Sequence, residues 1–75
     1  LKVYPNPARD VLNISFNGKT ENLIISLTDG LGKLVVSEQG NQNRFRLDIS
    51  QLQSGLYFLN IQSSSGVATY KIIKQ

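Results

Sequence analysis

Residues 44–61 read "RFRLDISQLQSGLYFLNI". Two alternating runs flank a break. In the first, Phe45, Leu47 and Ile49 alternate with Arg44, Arg46 and Asp48. In an extended chain successive side chains point to opposite faces, so the apolar set faces a core and the charged set faces water. In the second, "LYFLNIQ", Leu56 and Phe58 share one face, and Tyr57, Leu59 and Ile61 share the other. A period of two belongs to strands and not to helices. Between the runs, "SQLQSG" breaks the alternation and predicts a short turn of helix with Ser50 at its start.

The same period extends outward in both directions. Leu1–Tyr4 reads as a short strand stopped by "PNP" at Pro5–Pro7. In "DVLNISF", Leu12, Ile14 and Phe16 alternate with Val11, Asn13 and Ser15; "NGK" at Asn17–Lys19 is a turn signal. In "NLIISLT", Leu23, Ile25 and Leu27 form one face, and "DGLG" at Asp29–Gly32 turns the chain, glycine supplying positive φ at little cost. "KLVVSE" is a further strand, "GNQN" a loop, "SSSG" a turn and "VATYKIIK" the last strand. No linker, repeat or low-complexity tract interrupts the pattern.

Seven short strands with turn signals about every 8 to 12 residues predict an all-β, seven-stranded antiparallel sandwich. The pattern around Tyr57 makes that sandwich immunoglobulin-like. In such folds a tyrosine near the start of the sixth strand hydrogen-bonds back across the preceding corner. Tyr57 stands at that place, with Leu59 where antibody domains carry their second disulfide cysteine. The plainer alternative is a buried aromatic without the bond. The expected core is Leu12, Ile14, Phe16, Leu23, Ile25, Leu27, Phe45, Leu47, Ile49, Leu52, Tyr57, Leu59 and Ile61, with Ala68, Tyr70 and Ile72 inward in the last strand.

Composition narrows the function more than the fold. Seventy-five residues are expected to make one small domain, 1–75. A chain of this size buries only about 60% of the surface its unfolded form exposes, so its stability is modest. It has no cysteine, which removes disulfides and thiolate metal sites. Eight basic and five acidic residues give a net charge of +3. The cations are scattered, without the basic stripe and stacking aromatics that nucleic-acid binding needs. No apolar run approaches the roughly 18 residues of a membrane-spanning helix, and no signal peptide is visible. The start "LKVYPNP" lacks a methionine, as expected for a fragment of a longer parent.

Few residues suit catalysis. There is no histidine, the commonest general base near neutral pH. Asp10, Glu21, Asp29, Glu38 and Asp48 form no close pair in sequence. "TDGLGK" lacks the four-residue spacing of a Walker loop and the alternating oxygen ligands of an EF-hand, and reads as a hairpin turn. No cofactor, metal or enzymatic activity is expected. Tyr4, Tyr70 and Phe58 are the aromatics left for a sugar platform, a weak set without tryptophan. The segment around Leu56–Ile61 is apolar on both faces, and Ile72 and Ile73 repeat this at the chain end. Such a strand is covered twice or docked by a partner, and the two alternatives stand level.

Four stretches in order, "VYPNPARDVLNI", "LTDGLGKLV", "LDISQLQSGLYFLNI" and "YKIIKQ", resemble the type A carboxy-terminal sorting domains of the type IX secretion system. They match that family's Y-P-N-P opening, its Asp-x-x-Gly-Lys hairpin, its Gly-x-Tyr segment and its basic-apolar-apolar-lysine ending. Gln75 is one residue beyond that ending. The resemblance covers essentially the whole chain and implies an address attached to a secreted cargo. Its implied partners are an outer-membrane translocon, the shuttle proteins associated with it, and a sortase-like protease that usually removes the domain. A separate signal peptide would carry the cargo into the periplasm, and the cargo would end at the cell surface or outside the cell. No direct membrane insertion, nucleic acid or cofactor is implied, and the chain is expected to be a monomer.

The residues that the resemblance marks for partner recognition are Gly55, Tyr57, Lys71, Ile72, Ile73 and Lys74. The terminal strand would then serve both as a closing strand and as a label. Its free backbone groups would add to a partner's sheet, with exposed lysines deterring promiscuous pairing. The alternative class is an immunoglobulin-like adhesion or carbohydrate-binding module, which need not stand at the carboxy end of its parent.

Overall fold

The computed structural model describes residues 1–18 and 21–75. Among the described residues seven strands follow one another: β1 (Lys2–Tyr4), β2 (Val11–Ser15), β3 (Leu23–Asp29), β4 (Leu34–Gly40), β5 (Arg44–Asp48), β6 (Gly55–Ser63) and β7 (Gly66–Lys74). They form two antiparallel sheets, ordered β1-β2-β5 and β4-β3-β6-β7. No helix occurs among the described residues. The all-β sandwich expected from the alternation is therefore present.

The alternation also sets which residues fill the space between the sheets. One cluster joins Leu12, Ile14, Phe45 and Leu47 of the smaller sheet to Leu23, Ile25, Leu27, Tyr57, Leu59, Ile61 and Ile72 of the larger, with Ile49 and Ala8 from the connections. Phe16 and Leu52, expected in the core, are half-buried at its margin, and so is Tyr70. Ala68 is also only half-buried, whereas Ile72 is fully inward. Phe16 follows the end of β2 and leans edge-to-face on Phe45, with ring centroids 6.2 Å apart. That geometry suits aromatic quadrupoles and leaves part of the ring at the surface.

Two local departures have simple causes. Residues 49–54 are not a helical turn begun by Ser50. Instead the Asp48 carboxylate accepts from the Ser50 amide at 3.0 Å and the Ser50 hydroxyl at 2.6 Å, and a single turn bond runs from the Leu52 amide to the Ile49 carbonyl. Six residues before the next strand are too few to offset the cost of helix nucleation, and an Asx turn satisfies the same donors. In β4, Leu27 pairs with Val36 and Thr28 with Leu34, leaving Val35 as an extra residue. That bulge lets both valines pack against the core.

The turns follow their sequence signals where they are described. At the β3–β4 hairpin the Asp29 carboxylate accepts from the amides of Leu31 and Lys33, both at 2.9 Å, and Gly32 takes φ +89°. These bonds account for "TDGLGK" as turn chemistry. The turn expected at Asn17–Lys19 includes Lys19, which lies outside the described residues.

Candidate functional site

The β6–β7 ladder brings all six predicted recognition residues to one end of the larger sheet. Gly55 pairs with Lys74, Leu56 with Ile73, Tyr57 with Ile72 and Phe58 with Lys71. Two motifs far apart in sequence are therefore four consecutive rungs of one ladder.

Gly55 and Tyr57 shape the first side of it. Gly55 begins β6 at φ +149°, a conformation that residues with a Cβ rarely adopt. An added Cβ would meet nothing within 4 Å, so the requirement for glycine lies in the backbone and not in space. Two residues on, the Tyr57 ring turns into the core and its hydroxyl donates to the Gln53 carbonyl at 2.7 Å. The corner bond expected from the sequence is present. It fixes the turn to the strand that the chain end pairs with.

The second side is β7. Strand alternation turns Ile72 and Lys74 inward, and turns Lys71 and Ile73 outward. Lys74 corrects an expectation: it is not an exposed charge but 8% exposed, its ammonium donating to the Gln75 backbone oxygen at 3.1 Å. A lysine can bury its aliphatic stem while its head finds an oxygen at the rim. Ile73 remains 39% exposed, opposite the similarly exposed Leu56, with half-buried Phe58 opposite Lys71. The apolar outer face of β6 foreseen in the sequence thus continues across β7.

The third side was not foreseen. The expected free edge at the chain end is occupied by residues 6–8. The Asn6 side-chain amide donates to the Lys71 carbonyl at 3.0 Å, and its oxygen accepts from the Ile73 amide at 3.1 Å. The Ala8 amide donates to the Ile73 carbonyl, and the Ala8 carbonyl accepts from the Gln75 amide, both at 2.8 Å. Ala8 lies parallel to Lys74 and is fully buried. The outward backbone from the Lys71 carbonyl to the Gln75 amide is therefore closed by these bonds. Toward the β6–β7 hairpin, the edge at Val67 and Thr69 carries no further strand among the described residues.

In the sequence, "PNP" reads as a strand stop and as part of the Y-P-N-P opening, and neither reading sets it beside the chain end. The signal available there was Asn6, whose side chain carries an NH2 donor and a carbonyl acceptor, set between two prolines that lack an N–H. Such a residue can imitate one peptide unit of a strand where the backbone cannot supply it.

The other candidates stay apart. Phe58 is on the outer face of the larger sheet, Tyr70 on its inner face, and Tyr4 on the smaller sheet, so they do not form one platform. Asp48 titrates below the usual carboxylate range because the Ser50 hydroxyl and amide stabilise its charged form, with Arg46 adding a smaller attraction.

Comparison with known proteins bears on the chain as a whole. A family described as the secretion system C-terminal sorting domain matches residues 2–75. Beta-agarase D of Zobellia galactanivorans is 37% identical over 68 residues, covering 88% of this chain and 13% of the agarase. The chain thus spans about an eighth of the length of that relative.

Proposed function

The chain belongs to the C-terminal sorting domains of the type IX secretion system, and from that premise we propose that it acts as the folded address of a longer cargo protein, read at the end of the β6–β7 ladder. Family membership implies a sorting signal for export to the cell surface or the medium. In this reading, residues 1–75 are the carboxy-terminal domain of the cargo. A separate signal peptide delivers the cargo to the periplasm. The outer-membrane translocon and its shuttle proteins then engage the unit that Gly55, Tyr57, Lys71, Ile72, Ile73 and Lys74 build, through its outward residues Lys71 and Ile73. A sortase-like protease removes the domain after passage, and the chain contributes no catalysis of its own.

The observation that supports this most is the pairing of the Gly-x-Tyr segment with the Lys-Ile-Ile-Lys ending, rung by rung. Gly55 and Tyr57 shape the strand against which the label is laid; Ile72 and Lys74 anchor the label; Lys71 and Ile73 present it outward. An address built this way is legible only when folded. Export would then be coupled to completion of the domain.

The test fuses residues 1–75 to a reporter carrying a periplasmic signal peptide, in a type IX-competent host and in the same host lacking the translocon. The reporter is expected outside the first and in the periplasm of the second. Equal recovery outside both hosts, or retention in both, contradicts the proposal.

A further inference from the structure

We propose that Asn6 is a positioning residue for the label, holding the terminal strand so that a partner reads its side chains and not its backbone. The inference rests on the sorting function above and adds a component to it. Recognition of an end strand by strand addition needs outward N–H and C=O groups that are unpaired. From the Lys71 carbonyl to the Gln75 amide those groups are already taken: the Lys71 carbonyl and Ile73 amide by the Asn6 side chain, and the Ile73 carbonyl and Gln75 amide by the Ala8 backbone.

The chemistry of residues 5–8 fits that task. Pro5 and Pro7 have no N–H and cannot continue a ladder. The Asn6 carboxamide supplies one donor and one acceptor in the geometry of a peptide unit. Ala8, buried to 0% exposure, supplies the next pair from its backbone. The segment is thus a short false strand, anchored in the core at Ala8 and completed at Asn6 by a side chain. With the edge closed, what remains for a partner is the outward side chains of Lys71 and Ile73 beside Leu56 and Phe58. The segment also joins the amino-terminal side of the domain to its last strand, so the label is completed only when both ends of the chain are in place.

The experiment compares Asn6→Leu and Asn6→Asp with Ile14→Val in the same reporter fusion. Leucine keeps the approximate size of asparagine and removes both hydrogen bonds. Aspartate keeps an acceptor for the Ile73 amide but sets an oxygen against the Lys71 carbonyl. Ile14→Val lies in β2, away from the label, and supplies a control of lowered stability; export is read at temperatures where all variants are folded. In Asn6→Leu, amide exchange at Ile73 should accelerate by about tenfold or more as local protection is lost. The reporter should stay in the periplasm, while Ile14→Val at equal distance below its melting temperature is exported. Asn6→Asp should lose export with less change at Ile73, and it carries the test if Asn6→Leu fails to fold. Export of both Asn6 variants like the parent, unchanged exchange at Ile73 in Asn6→Leu, or equal loss of export in Ile14→Val overturns the proposal. Failure of the unsubstituted fusion to leave the cell would instead overturn the sorting function itself.

Discussion

At Tyr57 a single oxygen separates a corner from plain packing. Tyr57→Phe keeps the buried ring and removes the donor to Gln53, leaving that carbonyl without its partner. The loss should be about 1–3 kcal/mol in denaturant unfolding; an unchanged midpoint would mean the bond contributes nothing net. Gly55 behaves differently. Its surroundings are open but its φ is +149°, so Gly55→Ala and Gly55→Val should both cost on the order of 1–3 kcal/mol, from backbone strain and not from crowding. A harmless Gly55→Ala would place the requirement elsewhere.

Charge at single residues makes two further tests possible. Lys74→Ala should exceed the roughly 0.5 kcal/mol typical of surface changes, because it removes a buried stem. Lys74→Met should recover most of that loss, and equal melting of Lys74→Ala and the parent would contradict the inward placement. Asp48 supplies the pH dependence. Its folded pKa is depressed, so its contribution to stability is present above the ordinary value of 3.8 and is lost as pH falls through the lower folded value. Asp48→Asn should remove that part of the acid destabilisation. Residue-scale legibility was uneven for a physical reason. Tyr57 was readable because its role follows from one spacing, whereas Lys74 was misplaced by its charge although its parity with Ile72 put it inward.

At the scale of the strand, β7 can be taken apart by parity. Ile72→Ala removes buried methylenes and should cost about 2–5 kcal/mol, as should Leu59→Ala in β6. Ile73→Ala, on the half-open outer face, should cost much less in stability and affect export instead. A large melting shift for Ile73→Ala with a small one for Ile72→Ala would reverse the assigned faces. Strand existence was most legible in β2, β3, β5 and β6, where one face is buried and writes its period into the sequence; β1 and β4 carry only half-buried and exposed positions. The parts misread or not read lack such a period: the Asx turn at Asp48–Ser50, the bulge around Val35, and the false strand at Asn6–Ala8. In each, side-chain hydrogen bonds or an extra residue set the backbone, and neither leaves an apolar rhythm.

For the whole molecule, the seven-strand sandwich could be inferred from the order of alternating segments, but the pairing of β7 with residues 6–8 could not. That contact joins residues separated by almost the entire chain, and nothing local encodes it. It also changes the meaning of the terminal strand. The chain end is not a loose edge but the last piece of a closed construction, bonded to β6 on one side and to Asn6 and Ala8 on the other. Removing Lys71–Gln75 should therefore both strip the label and expose the Gly55–Phe58 rungs. The most direct test of the sorting account is the fraction of fused reporter recovered outside a type IX-competent cell, for intact residues 1–75 against the chain lacking Lys71–Gln75. The intact fusion should be found outside and the truncated one in the periplasm; export of the truncated fusion at the level of the intact one would contradict the account.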